Sequence, residues 1–292
     1  MDPRPRQSLN WTKTLGWLLS LAALFFVGRW LWRVDPAVWK YLRSTNLSSL
    51  VVSLIIFQGW FLLRYLGWEW ISQRYGLSDA RASNVRMWTL SELMRYIPGN
   101  VWSFAARYKG ARQRGTTRGG AVAALVLEAL FLTSGAALVA ALFWKANWWL
   151  VWFVAAAAAI WLIPWVMKKI ALWRHWDNVP GPSVSGAMLL LTIYTTVWLL
   201  YGLAQTIMIK SIPGLNLPSF GLLMGVNVAA WLIGYISIVT PMGLGVREVA
   251  FVSLLKSTSS SVASLLAVAT RVWLIVAEIV FLSLVMPFSR RR

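Results

Sequence analysis

Arg95-Tyr-Ile-Pro98-Gly99-Asn-Val-Trp-Ser-Phe-Ala-Ala-Arg107 and Thr240-Pro241-Met-Gly243-Leu-Gly245-Val-Arg247-Glu248 are the two stretches that decide the fold. Each sets a proline and glycine break beside fixed charge, inside sequence otherwise apolar enough to live in lipid. Proline removes a backbone donor and clashes with the preceding turn, so a helix reaching either stretch has to stop or kink. In hydrocarbon the freed peptide groups are tolerated only where protein or a watery cavity satisfies them. Two such breaks in one chain predict a polar site inside a helical bundle.

Outward from the breaks, apolar runs bounded by charge or turn residues predict full spans near 14–32, 47–70, 119–143, 148–167, 184–209 and 261–286. The broken segments, 83–106 and 220–256, read as re-entrant or half-helix pairs. The expected fold is an all-α polytopic integral membrane protein, with six full spans and two broken hairpins in a single transmembrane domain over residues 1–292. Residues 1–46 hold an N-terminal anchor helix: the basic start precedes Leu15 to Val27, and Arg29-Trp30-Leu-Trp32-Arg33 follows instead of a cleavage pattern. Residues 144–183 form a linking span.

Composition agrees. Hydrophobic residues make up 59% of the 292, which nearly excludes a soluble protein. The absence of cysteine excludes disulfides, thiolate metal sites and a thiol nucleophile, and the single histidine, His175, cannot build a His-ligated metal site. The net charge of +19 is spread through short loops, which fits topology and anionic headgroups better than nucleic acid. Twenty-one tryptophans cluster where apolar runs end, as interfacial belts.

If both broken segments return to the side they entered from, the cytoplasmic stretches carry 17 Lys/Arg against 6 outside, and both termini are cytoplasmic. The units 47–143 and 184–286 then open their hairpins to opposite sides, as inverted repeats. Glu128 follows Pro98 by thirty residues and Arg271 follows Pro241 by thirty, each in the helix after its break.

Ionisable side chains at the bilayer centre cost about 2.5–3.5 kcal/mol each on insertion scales, so those present tend to face a cavity or a partner. Glu92, Arg95, Arg107, Glu128, Arg247, Glu248, Arg271 and Glu278 fall within or beside the apolar segments. Glu92 and Arg95, three apart, share a helix face, and so do Arg271 and Glu278, two turns apart. Ion pairs that fix helix packing account for the first couple as well as a site does. After Pro241, Gly243 and Gly245 read as a turn feeding a new helix whose N-terminus lies inside the membrane. Its free N–H groups and the Arg247 guanidinium would converge on a phosphate or carboxylate, and a kink capped by Glu248 is the plainer alternative. No nucleotide-binding loop and no nucleophile with a base are present, so no enzyme, cofactor or metal is expected.

At these residues the chain resembles the lysylphosphatidylglycerol synthase transmembrane family, the flippase-domain superfamily of bacterial and archaeal membrane proteins. The likeness rests on Arg95-Tyr-Ile-Pro98-Gly99-Asn-Val-Trp102 with Arg107, on Leu127-Glu128, and on Pro241-x-Gly243-x-Gly245-Val-Arg247-Glu248 with Arg271 downstream. It implies lipid translocation or handling in a prokaryotic cytoplasmic membrane, often beside membrane glycosyltransferases. The synthase's aminoacyl transfer belongs to a separate catalytic domain and is not assigned here. The expected function is a flippase or transporter whose ligand is an anionic lipid headgroup, either a phospholipid or a polyprenyl-phosphate glycolipid. Arg95, Pro98, Gly99, Arg107, Glu128, Pro241, Gly243, Gly245, Arg247, Glu248, Arg271 and Glu278 form the expected substrate site. A non-catalytic membrane partner of a lipid-linked glycosyltransferase is the alternative.

Overall fold

The computed structural model describes residues 44–77, 81–96, 101–143, 181–237, 243–255 and 258–288, with Leu162, Trp165 and Lys169 as isolated helical positions. The expected span 14–32, the span 148–167 apart from Leu162 and Trp165, and the residues Pro98, Gly99 and Pro241 lie outside the described residues. Among the described residues every element is helical: α1 Leu47–Arg74, α2 Arg81–Leu93, a 3-10 turn Met94–Tyr96, α3 Trp102–Gln113, α4 Arg118–Leu142, α5 Val184–Lys210, α6 Phe220–Ile236, α7 Val246–Leu254 and α8 Ser260–Phe288. Four of these, α1, α4, α5 and α8, are long and apolar enough to cross a membrane. Each covers the roughly 30 Å of hydrocarbon at a rise of about 1.5 Å per residue. They match four of the expected spans.

Short polar side chains start these helices. Asn46, Thr117, Ser183 and Ser219 each accept a hydrogen bond from the backbone N–H three residues on, opening α1, α4, α5 and α6. Each satisfies a donor that the helix cannot use internally. The breaks act as the sequence requires: α2 tightens into a 3-10 turn before Pro98, and α6 stops at Ile236 ahead of Pro241. Gly243 and Gly245 then turn the chain with φ of 66° and 82°, a region that costs an L-residue about 1–2 kcal/mol.

α1 and α5 form the antiparallel centre. The Asn46 N–H donates to the Ser211 carbonyl at 2.8 Å, the Ser53 hydroxyl donates to the Ala204 carbonyl at 2.7 Å, and Gly67 lies against Tyr194. Between these contacts Phe57, Trp60, Trp198 and Tyr201 are fully buried and meet edge-on or tilted. α4 crosses α5 at Gly135, where a Cβ would stand 2.7 Å from the Tyr194 carbonyl carbon. α6 reaches α4 through Gly225, and α8 packs across α1, α2 and α7.

α2 and α3 form an antiparallel hairpin, with Gly110 against Met87 and Arg114 Nη2 donating to Ser83 Oγ at 2.9 Å. Its open end joins the C-terminus of α1 to the N-terminus of α4. α6 and α7 pack together through Gly234 and Gly243, where a Cβ on Gly243 would lie 2.6 Å from the Gly234 Cα. That pair connects the C-terminus of α5 to the N-terminus of α8. Because α1 and α5 are antiparallel, the two hairpins are linked into the bundle at opposite ends.

The glycine at the α4–α5 crossing is testable. Gly135→Ala forces a Cβ into backbone and should lower the thermal unfolding midpoint in detergent by the equivalent of about 1–3 kcal/mol. Gly59→Ala, with nothing within 4 Å of the added carbon, should not.

Candidate functional site

The polar centre is assembled around one carboxylate. Glu92 sits in the last turn of α2, and both its oxygens are taken up by guanidiniums. Arg64 from α1 is bidentate on it, Arg95 from the 3-10 turn donates to Oε2 at 3.0 Å, and Arg107 from α3 donates to Oε1. Arg107 also pairs with Glu128 of α4. Arg95 also pairs with Glu278 of α8 at 2.7 Å, and the Tyr96 hydroxyl donates to the same oxygen of Glu278. Five helices and the turn are tied into one network of three arginines and three glutamates.

All six are less than 10% exposed. Burying charge in low dielectric is costly unless partners and hydrogen bonds replace water, and here each cation is matched by a carboxylate. Tryptophan faces help: Arg64 lies 5.6 Å from the Trp60 ring and 5.4 Å from Trp88, and Arg107 lies 5.3 Å from Trp68. The matching is incomplete: Oε1 of Glu128, Oε1 of Glu278 and the Nε atoms of Arg64, Arg95 and Arg107 are buried with no hydrogen-bond partner.

Beside this network lies a cavity of about 40 Å³. It has room for a few waters or one small charged group. Arg64, Glu92, Arg95, Arg107 and Glu128 form its charged wall, Phe104, Trp231 and Tyr235 an aromatic one, and Arg247 completes the lining. Trp231 and Tyr235 stack with centroids 4.7 Å apart and planes at 14°. Ser103 and Phe104 belong to the first turn of α3 and Arg247 to the first turn of α7. Thus the helices that restart after each break begin at the same cavity.

Arg247 differs from the other cations. It is 4% exposed, and its Nη2 donates to the Tyr201 hydroxyl at 2.7 Å. Its Nη1 has no hydrogen-bond partner, and no carboxylate among the described residues lies within ion-pair distance. The neighbouring Glu248 is turned away: one oxygen accepts the Gly245 N–H at 2.7 Å, the other pairs with Arg271 of α8. A carboxylate at this position also suits the positive N-terminal end of α7.

The expected site residues therefore fall into groups. Arg95, Arg107, Glu128 and Arg247 line the cavity, and Glu278 backs it through Arg95. Gly243 and Gly245 shape the turn that delivers Arg247. Glu248 and Arg271 neutralise each other outside the lining. Arg271 and Glu278 share a face but reach different partners. Arg64 and Tyr201 were missed as site residues, although Arg64 stands as a lone cation deep in an apolar run and could have been found on that signal. Tyr201 gave none, since a tyrosine in an apolar helix is ordinary. Comparison with protein-family models, with characterised proteins and with solved structures finds no match to this chain.

A second cavity of about 120 Å³ lies between Trp70, Arg74, Tyr75, Leu127 and Pro182. Its one cation among the described residues, Arg74, is exposed and lies over the Trp70 ring at 4.3 Å.

Glu92 holds three cations, so Glu92→Ala should cost about 3–5 kcal/mol, the range found when one partner of a buried pair is removed. Lost monodispersity in detergent and a lowered unfolding midpoint would register it. Glu248→Ala, which frees one partly exposed pair, should cost markedly less.

Proposed function

We propose that this protein is a membrane lipid flippase or transporter that takes an anionic lipid headgroup between its two halves and is not an enzyme. Arg247 carries this reading: a buried guanidinium with an unused donor, no carboxylate partner among the described residues, and a place on a cavity where two helices begin. Helix N-termini offer free N–H groups and positive potential, so an anion at this point would meet complementary charge. A buried guanidinium nitrogen left without an acceptor is unfavourable, and a phosphate oxygen entering from the bilayer would relieve it.

Six full spans and two re-entrant hairpins in an inverted repeat complete the proposal. Helix boundaries support it: the ends of α2 and α6, Leu93 and Ile236, are 143 residues apart, and the starts of α4 and α8, Arg118 and Ser260, are 142 apart. Packing supports it too. Exchanging α1 to α4 for α5 to α8 turns each principal helix contact into another that is also present: α1 on α2 becomes α5 on α6, and α4 on α6 becomes α8 on α2. The antiparallel α1–α5 pair, which maps onto itself, fits a two-fold axis in the membrane plane. In this scheme the Arg95–Glu278 pair joins the halves, and rocking one against the other would expose the cavity to either leaflet in turn.

Arg74, Lys109, Arg112 and Arg118 are exposed at the end where the α2–α3 hairpin opens, and Lys210 lies at the other. Under the positive-inside rule this asymmetry supports a cytoplasmic first end, in keeping with the proposed topology in a prokaryotic cell membrane with both termini cytoplasmic. The resemblance of both broken motifs to the lysylphosphatidylglycerol synthase transmembrane family points the same way.

Purified protein in liposomes should move a fluorescent anionic phospholipid between leaflets, read as the fraction accessible to an impermeant quencher. Arg247→Gln should slow this by about tenfold or more, the loss expected for one charge-assisted hydrogen bond. Wild-type protein that moves no lipid would instead favour the accessory role beside a glycosyltransferase.

A further inference from the structure

We propose that the cavity is matched to a headgroup bearing a single net negative charge, a phosphodiester, and that Arg247 is the residue that selects for it. This rests on the transport reading above and adds the substrate's charge. Four arginines, Arg64, Arg95, Arg107 and Arg247, line the cavity; against them stand Glu92 and Glu128 in the lining and Glu278 bonded to Arg95. Among the described residues, four cations against three carboxylates leave one positive charge. The two interruptions, 97–100 and 238–242, contain no ionisable side chain and do not alter that sum. The ion pair of Glu248 with Arg271 is neutral and outside the lining.

Geometry locates the excess. Arg64, Arg95 and Arg107 are each committed to carboxylates, while Arg247 bonds only to the neutral Tyr201 hydroxyl. In a low-dielectric pocket, an uncompensated charge of either sign is disfavoured. A phosphodiester brings the sum to zero. A diphosphate leaves surplus negative charge facing Glu92 and Glu128, and a zwitterionic headgroup can pair its phosphate with Arg247 but brings a cation that restores the surplus positive charge. The stacked Trp231 and Tyr235 give the carbon skeleton next to the phosphate an apolar wall.

Charge variants in liposomes test this. Full-length protein is reconstituted with trace fluorescent phosphatidylglycerol, phosphatidylcholine or a polyprenyl diphosphate, and radiolabelled phosphate uptake is followed in parallel. Wild-type protein should move phosphatidylglycerol about tenfold faster than the other two lipids and take up no phosphate. Arg247→Gln should bring the phosphatidylglycerol to phosphatidylcholine ratio close to one, and Arg247→Lys should retain the preference. Glu278→Gln, which raises the sum by one positive charge, should shift preference toward the diphosphate. Arg247 has no carboxylate partner among the described residues to strand, so its two variants decide the matter even where Glu278→Gln fails to fold. Lipid movement with no charge preference, or a preference that survives Arg247→Gln, overturns the charge match alone. Phosphate uptake without lipid movement overturns the phosphodiester lipid. Movement of neither lipid nor phosphate overturns the transport reading itself.

Discussion

The structure depends on keeping the Glu92 carboxylate fully ligated in a place with little water. Arg64, Arg95 and Arg107 approach it from α1, the 3-10 turn and α3, and Glu128 and Glu278 extend the network into α4 and α8. Charges this deep hold their places by mutual satisfaction, because each would be strongly unfavourable alone. The same condition makes the network specific. In the observed placement of α1, α2, α3, α4 and α8 three cations and three anions meet, a directional constraint that apolar faces alone do not impose.

Against this charge-balanced network, Arg247 stands out by having no carboxylate partner among the described residues. Its helix begins only because Gly243 and Gly245 adopt positive φ, and its position is set by Gly234, whose own Cβ would lie 2.9 Å from that of Arg247. Close glycine contact between α6 and the turn before α7 thus brings a cation to the cavity wall. The Tyr201 hydroxyl orients one nitrogen and leaves the other unused. A charge-balanced network that spans both halves, beside one buried cation with no carboxylate partner among the described residues, is the arrangement on which the proposed anion site rests.

Much of the fold was legible beforehand, for a physical reason. A membrane-spanning helix must be long and apolar, so the boundaries of α1, α4, α5 and α8 could be read from hydropathy and flanking charge to within a few residues. Pro98 and Pro241 announced the breaks because no helix can run regularly through them. Charged residues near membrane depth announced a polar centre, and Arg95, Arg107, Glu128 and Arg247 do line one cavity.

Partnership was not legible. Glu278 could have faced Arg271 seven residues earlier, yet it meets Arg95, 183 residues away in sequence. Glu248 and Arg271 looked equivalent to Arg247 and Glu128, yet they cancel each other beyond the cavity. The sequence by itself determined a helical protein with long apolar spans, two proline and glycine breaks and charges set within apolar sequence, because the bilayer punishes unsatisfied polar groups locally. Only the tertiary structure decided which charges neutralise one another and which one is left over, because ion pairing depends on a few ångströms between helices far apart along the chain.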